Sequence, residues 1–198
     1  LDPEYAVTYV GLADCYTFFN SRKGLPTLEL VSIAEEYAQK ANPINSNLPE
    51  ALTTKAFLQS HYDYDWQGSK QVFQKAISSK SNYPSAHLYY GNVLFATGDI
   101  KQGIEETKTA LELDPLSASL NWVLGRNYYY AGEYDLAISQ LQKTMAIQNY
   151  DYAQYYLGLC FMQTKQYEKA IDIFTNFRSM SVTLLFSEDP ELMIIYTN

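Results

Sequence analysis

Small residues return along this chain at an almost constant interval. One series runs Ala56, Gly91, Gly125 and Gly158, at spacings of 35, 34 and 33. A second runs Ala34, Ser69, Gly103, Ala137 and Ala170, at 35, 34, 34 and 33. Two series that share one period require a tandem repeat. A period near 34 with paired helical patterns is the mark of a helical solenoid, in which each unit contacts only its neighbours. The fold class this predicts is all-α: a right-handed superhelical solenoid of about five helix hairpins.

Each unit reads as two amphipathic helices. In "SASLNWVLGRNYYYAGEYDLAISQLQKTMAI" the first helix carries Leu120, Leu124, Tyr128 and Ala131 on one stripe. The second carries Tyr134, Ala137, Ile138, Leu141 and Met145, again at helical spacing. Gly132 lets the chain leave helical geometry between them, and "TGD" at Thr97–Asp99 fills the same slot one unit earlier. The small residues permit close approach where the two helices cross. Gly125 and Ala137 are expected to face bulky neighbours, with Leu124, Tyr128 and Leu141 filling the space.

These residues resemble the tetratricopeptide repeat. "LGRNYYYAGEYDLAISQLQK" has the Leu-Gly pair, a tyrosine three residues on, a Gly-Glu-Tyr turn, an alanine and a large apolar residue four later. "YGNVLFATGDIKQGIEETKTALELDP" keeps the glycines, Ala110 and Pro115 but has Thr107 at the large apolar place. "LGLCFMQTKQYEKAIDIF" keeps Leu157, Gly158, Phe161, Tyr167, Ala170 and Phe174. The unit from Pro49 has Ala56 for glycine and an extra turn residue in "HYDYDW". The first unit matches through Leu12, Ala13 and Tyr16 and carries a longer loop, "NSRKGLPT". The resemblance implies an array over 1–178, with units at about 4–41, 49–80, 84–115, 118–149 and 151–178. Leu1-Asp2-Pro3 resembles Leu113–Pro115, as though the chain begins where an earlier repeat finishes. For the tail at 179–198, a capping helix opening at Glu188–Glu191 and an extended run both stay open.

Composition narrows the function. The net charge of −8 and the presence of only three arginines, Arg22, Arg126 and Arg178, disfavour nucleic acid, whose phosphates need clustered cations. No apolar run approaches the roughly 18 residues of a membrane span. Cys15 and Cys160 match no metal or redox spacing and read as buried thiols. His61 and His87 lie on different units without ligand partners at metal spacing, and read as partly exposed helix histidines. Asp63 and Asp65 lack the glycine and closing glutamate of a calcium loop, and read as a turn with Trp66 anchoring the next helix. No phosphate-cradling glycine loop or nucleophile elbow is present. The chain is expected to be no enzyme, with no catalytic residue, metal or cofactor.

What remains is surface. In tetratricopeptide arrays the first helix of each unit lines the concave face, where peptides dock. By that resemblance the partner-binding stripe is Leu88, Asn92 and Phe95, then Trp122, Arg126 and Tyr129, then Tyr155, Leu159 and Met162. Such an aromatic wall around one arginine has the composition of a binding hot spot. Arg126 would pair with a peptide carboxylate while Trp122 and Tyr155 stack on side chains. The competing reading packs these aromatics between helices and pairs Arg126 with a local acid such as Glu133. Some arrays of this family grip a terminal carboxylate with lysines and asparagines. This chain offers Asn92 and Arg126 but has Val10, Asp14, Thr53 and Phe57 in the comparable places.

The sequence is similar to tetratricopeptide arrays attached to bacterial signalling proteins: winged-helix regulators, nucleotide cyclases and receptor kinases. The expected function is thus a protein- or peptide-binding module of a larger regulator, with no membrane insertion; the compartment expected is the cytoplasm, or extracytoplasmic if the parent protein has a transmembrane segment. Self-association into a homo-oligomer and a small-molecule receptor are the alternatives.

Overall fold

A computed structural model describes residues 48–176, together with Thr8, Tyr9, Gly11–Ala13, Ser32–Ala34, Glu36, Tyr37 and Lys40, all eleven of them helical. Cys15, Val10, Asp14 and the tail at 179–198 lie outside the described residues. Eight helices follow one another: α1 (Pro49–His61), α2 (Trp66–Ser79), α3 (Pro84–Ala96), α4 (Ile100–Leu113), α5 (Ala118–Tyr130), α6 (Tyr134–Ile147), α7 (Asp151–Gln163) and α8 (Tyr167–Asn176). Every described element is helical, as the 3.6-residue pattern predicts. The chain divides into two compact units, Leu1–Leu116 and Ser117–Asn198.

In the first unit α1 packs on α2, α2 on α3, α3 on α4, and α1 on α3. Its core holds Ala56, Phe73, Tyr90, Val93 and Leu94, with Leu52, Ala76 and Ala86 in an adjoining cluster. In the second unit α5 packs on α6, α6 on α7, α7 on α8, and α5 on α7. Ala137, Leu141, Ala153, Leu157, Cys160, Phe161 and Ala170 form its centre.

The small residues stand where the helices of a hairpin cross. A methyl group built on Gly125 would come within 2.7 Å of the Leu141 side chain, and one on Gly158 within 2.6 Å of the Phe174 ring. Ala137 and Leu141 are fully buried, as expected. The α3–α4 crossing is tighter still. A methyl on Gly91 would meet the Gly103 carbonyl at 2.9 Å, and one on Gly103 would meet the Gly91 carbonyl at 2.8 Å. This explains why Thr107 takes the large apolar place. Two glycines bring the axes together, leaving room for a smaller side chain, and the buried Thr107 hydroxyl donates to the Gly103 carbonyl at 2.9 Å.

The hairpin turns repeat as well. Gly98 and Gly132 have φ of +90° and +78°, and Lys165 stands in the same slot at +59°. After each, the backbone N–H of the next residue reaches back five residues: Asp99 to Leu94 at 2.9 Å, Glu133 to Tyr128 at 2.9 Å, Gln166 to Phe161 at 2.8 Å. This is the Schellman closure, which satisfies carbonyls orphaned at a helix end. The α1–α2 turn departs from it through its extra residue. Tyr64 is left-handed at φ +56°, and the Asp65 carboxylate caps α2 by accepting from the Gly68 N–H at 2.8 Å. Asp65 is therefore a helix cap. Trp66 opens α2 half-exposed, with an edge contact to Tyr64.

Candidate functional site

The three stripes expected to meet a partner each follow a single helix face, at i, i+4 and i+7. In the first unit, Leu88, Asn92 and Phe95 lie along α3, all partly exposed. In the second, Trp122, Arg126 and Tyr129 lie along α5 and Tyr155, Leu159 and Met162 along α7.

The second unit gathers the aromatic residues. The Arg126 guanidinium sits over the Trp122 ring at 5.1 Å, and its Nη2 donates to Asn127 Oδ1 at 3.3 Å. Tyr150 and Tyr152, at the start of α7, each place a ring 5.5 Å from Trp122. The sequence reading passed over both, although their spacing in "NYDY" is a visible signal. The cluster sets tilted rings around a cation, and a cation held on an indole face is worth about 0.5–2 kcal/mol. One atom in it is unsatisfied. The Trp122 indole Nε1 is buried and finds no acceptor. Buried donors are nearly always paired, which sets this one apart.

The other stripe residues differ in exposure. Tyr129 packs edge-on against Tyr156 at 5.5 Å and touches Tyr130 and Tyr134. The Tyr130 and Tyr156 hydroxyls share a hydrogen bond of 2.9 Å. Tyr155 is only 7% exposed and turns its ring to Phe174 of α8 and to Tyr156. Leu159 is partly covered, and Met162 is 47% exposed. The structure thus joins Trp122 to Arg126, and Tyr129 to the tyrosine cluster, while Tyr155 is core.

Cys160, His61 and His87 lie outside these three stripes. Cys160 is fully buried at the centre of the second unit, and burial pushes its thiol up to about 12. His61 stacks on Phe57 at 3.9 Å. Desolvation against that ring lowers its pKa, with the Phe57 carbonyl, 3.1 Å from Nδ1, opposing the shift. His87 corrects the sequence expectation of partial exposure. It is buried at 6% and bridges two segments. No described helix is long and apolar enough to cross a membrane.

The sequence profile of the tetratricopeptide repeat matches residues 91–152 and 123–176. Residues 91–176 therefore match the tetratricopeptide repeat. Solved structures agree in fold. PilW, a widely conserved type IV pilus biogenesis factor, aligns with a TM-score of 0.74 at 16% identity, over 98% of this chain and 84% of that one. MamA from Desulfovibrio magneticus RS-1 aligns at 0.67 with 20% identity, over 96% and 98%. YrrB, a tetratricopeptide protein with an unusual peptide-binding site, aligns at 0.65 with 17% identity, over 94% and 93%. The tetratricopeptide fold is the all-α, stacked-hairpin class that the period of the sequence predicts.

Among curated proteins, the transcriptional regulator HilA of Salmonella paratyphi A and that of Salmonella typhimurium are each 25% identical over 136 residues. The match covers 67% of this chain and 24% of HilA, so the chain spans about a quarter of the length of the curated relatives it matches.

Proposed function

We propose that this chain is a non-enzymatic interaction module that holds a peptide segment of a partner protein against the aromatic face of α5 and α7. It would serve as the docking or sensing part of a larger cytoplasmic bacterial regulator. The observation that carries the reading is the buried, unpartnered Trp122 indole N–H, set among Tyr150, Tyr152 and the stacked Arg126. A backbone carbonyl or carboxylate of a bound peptide would accept from Trp122 Nε1, with Arg126 supplying the charge. Tyr129 and Met162 extend the surface, and Leu88, Asn92 and Phe95 are the equivalent stripe on α3. The partial match to HilA supports the regulator context.

The test uses the purified chain and a peptide library, with captured peptides measured by calorimetry. Trp122→Phe keeps the ring and removes only the donor. Losing a hydrogen bond of roughly 1.5 kcal/mol weakens binding about tenfold. Arg126→Ala is expected to weaken acidic peptides most. No captured peptide, or equal affinity for wild type and both variants, would overturn the proposal. Sedimentation over a concentration range reports self-association separately.

A further inference from the structure

Two successive hairpins carry a hydrogen-bonded pair at equivalent places across their helices. In α5–α6 the pair is neutral: Gln140 Nε2 donates to Asn121 Oδ1, and Asn121 Nδ2 donates to the Ser117 carbonyl at 2.8 Å. Thirty-four residues earlier in both helices stand His87 of α3 and Glu106 of α4. In α1–α2 the places fall to Leu52 and Val72, which pack in an apolar cluster. One repeat position therefore holds an apolar, an ionisable and a neutral polar pair in turn.

Proton counting distinguishes the ionisable pair. His87 Nδ1 lies 2.7 Å from Glu106 Oε2, and Nε2 lies 2.9 Å from the Ser81 carbonyl oxygen. A carbonyl can only accept, so Nε2 must donate. A neutral ring then turns its Nδ1 lone pair toward a carboxylate oxygen, and two acceptors face each other at contact distance. The arrangement is attractive only when a further proton sits between Nδ1 and Oε2. The other nearby charges are engaged elsewhere. On α4, Glu105 pairs with Lys108 at 2.7 Å. At the end of α2, Lys80 reaches Glu50 of α1 at 2.8 Å and lies over the Tyr83 ring. Glu106 is the charged group facing the ring from α4, and the uncharged Ser81 carbonyl faces it from the α2–α3 connection.

We propose that His87 and Glu106 form a proton-dependent clasp between α3 and α4, closed when the extra proton is held and released when it leaves. Release is sterically open, because Glu106 keeps part of its side chain in solvent and can swing outward. The clasp grips α3 beside Leu88 and one turn before Asn92, so its release loosens the helix that bears that stripe. The Asn121–Gln140 pair needs no proton and is a control built into the same chain.

The test installs that control. The double variant His87→Asn/Glu106→Gln copies the pair that α5–α6 already uses, and thermal stability of both chains is followed from pH 5 to 8.5. A native state that holds a proton the unfolded chain does not loses stability as pH rises and that proton leaves. The wild-type advantage in Tm over the double variant is expected to shrink by several degrees across that range. Parallel profiles would overturn the proposal. His61 is present in both chains, so its contribution cancels. A second readout is independent of how the double variant folds. In a His61→Gln chain, the imidazole nitrogen spectrum of the folded protein is expected to show protons on both ring nitrogens at pH 5 and a single one at pH 8.5. A neutral ring at pH 5 would refute the clasp.

Discussion

Gly91 and Gly103 face each other so closely that a methyl on either would touch the other's backbone carbonyl, at 2.9 and 2.8 Å. At the equivalent crossings in the second unit the obstacle is a side chain: Leu141 for Gly125, Phe174 for Gly158. Side chains can move; a carbonyl in a helix carries its helix with it.

A ranking follows from that difference. Gly103→Ala is expected to destabilise by about 1–3 kcal/mol, because the α3 and α4 axes must separate. Gly158→Ala is expected to cost less, since the Phe174 ring near the end of the described helices can turn away. Denaturant midpoints of the two variants measure the order, and an equal or reversed order would contradict the packing account.

Lys165 occupies the left-handed turn position that Gly98 and Gly132 fill elsewhere. A side chain there costs roughly 1–2 kcal/mol in backbone strain, whereas glycine costs about 0.4–1 kcal/mol in the unfolded chain. Lys165→Gly is therefore expected to stabilise by about 0.5–1 kcal/mol. Thermal unfolding checks the sign. A fall in Tm would mean that the lysine side chain contributes more than the strain it imposes.

Cys160 is expected to be inert in the folded state. In a Cys15→Ser chain it is the sole thiol, and a disulfide reagent at pH 8 should react with the native protein at least 100-fold more slowly than with the denatured one, because reaction waits for opening. The sign of the pH effect follows from the raised value. The native thiol keeps its proton up to about 12, while the unfolded one releases it near 9.0. Its contribution to stability is thus fully present below about pH 9 and is lost as pH rises toward 12. Rapid native labelling would contradict this burial.

Much of this architecture was legible because size at one position is a constraint a bare sequence records. Gly91, Gly125, Gly158 and Ala137 stand where two helices leave no room for a large side chain. The turns at Gly98 and Gly132 were legible for the same reason. Lys165 was not, since nothing in "QTKQY" announces a left-handed residue, and only the backbone reveals it. Side-chain pairs were the blind spot. His87 read as partly exposed because its partner Glu106 is on another helix, and the flanking of Trp122 by Tyr150 and Tyr152 depends on how α7 begins. Tyr155 shows the limit of stripe arithmetic. Its spacing matches Trp122, yet Phe174 closes over it.

The arrangement of the indoles has an optical consequence. The chain's two tryptophans fall one to each compact unit: Trp66 half-open beside Tyr64, Trp122 pressed among tyrosines and a guanidinium. Their emission should differ in colour and in quenching, so each unit reports its own melting without a label. Whether the array comes apart in one step or frays unit by unit is written in two fluorophores it already contains.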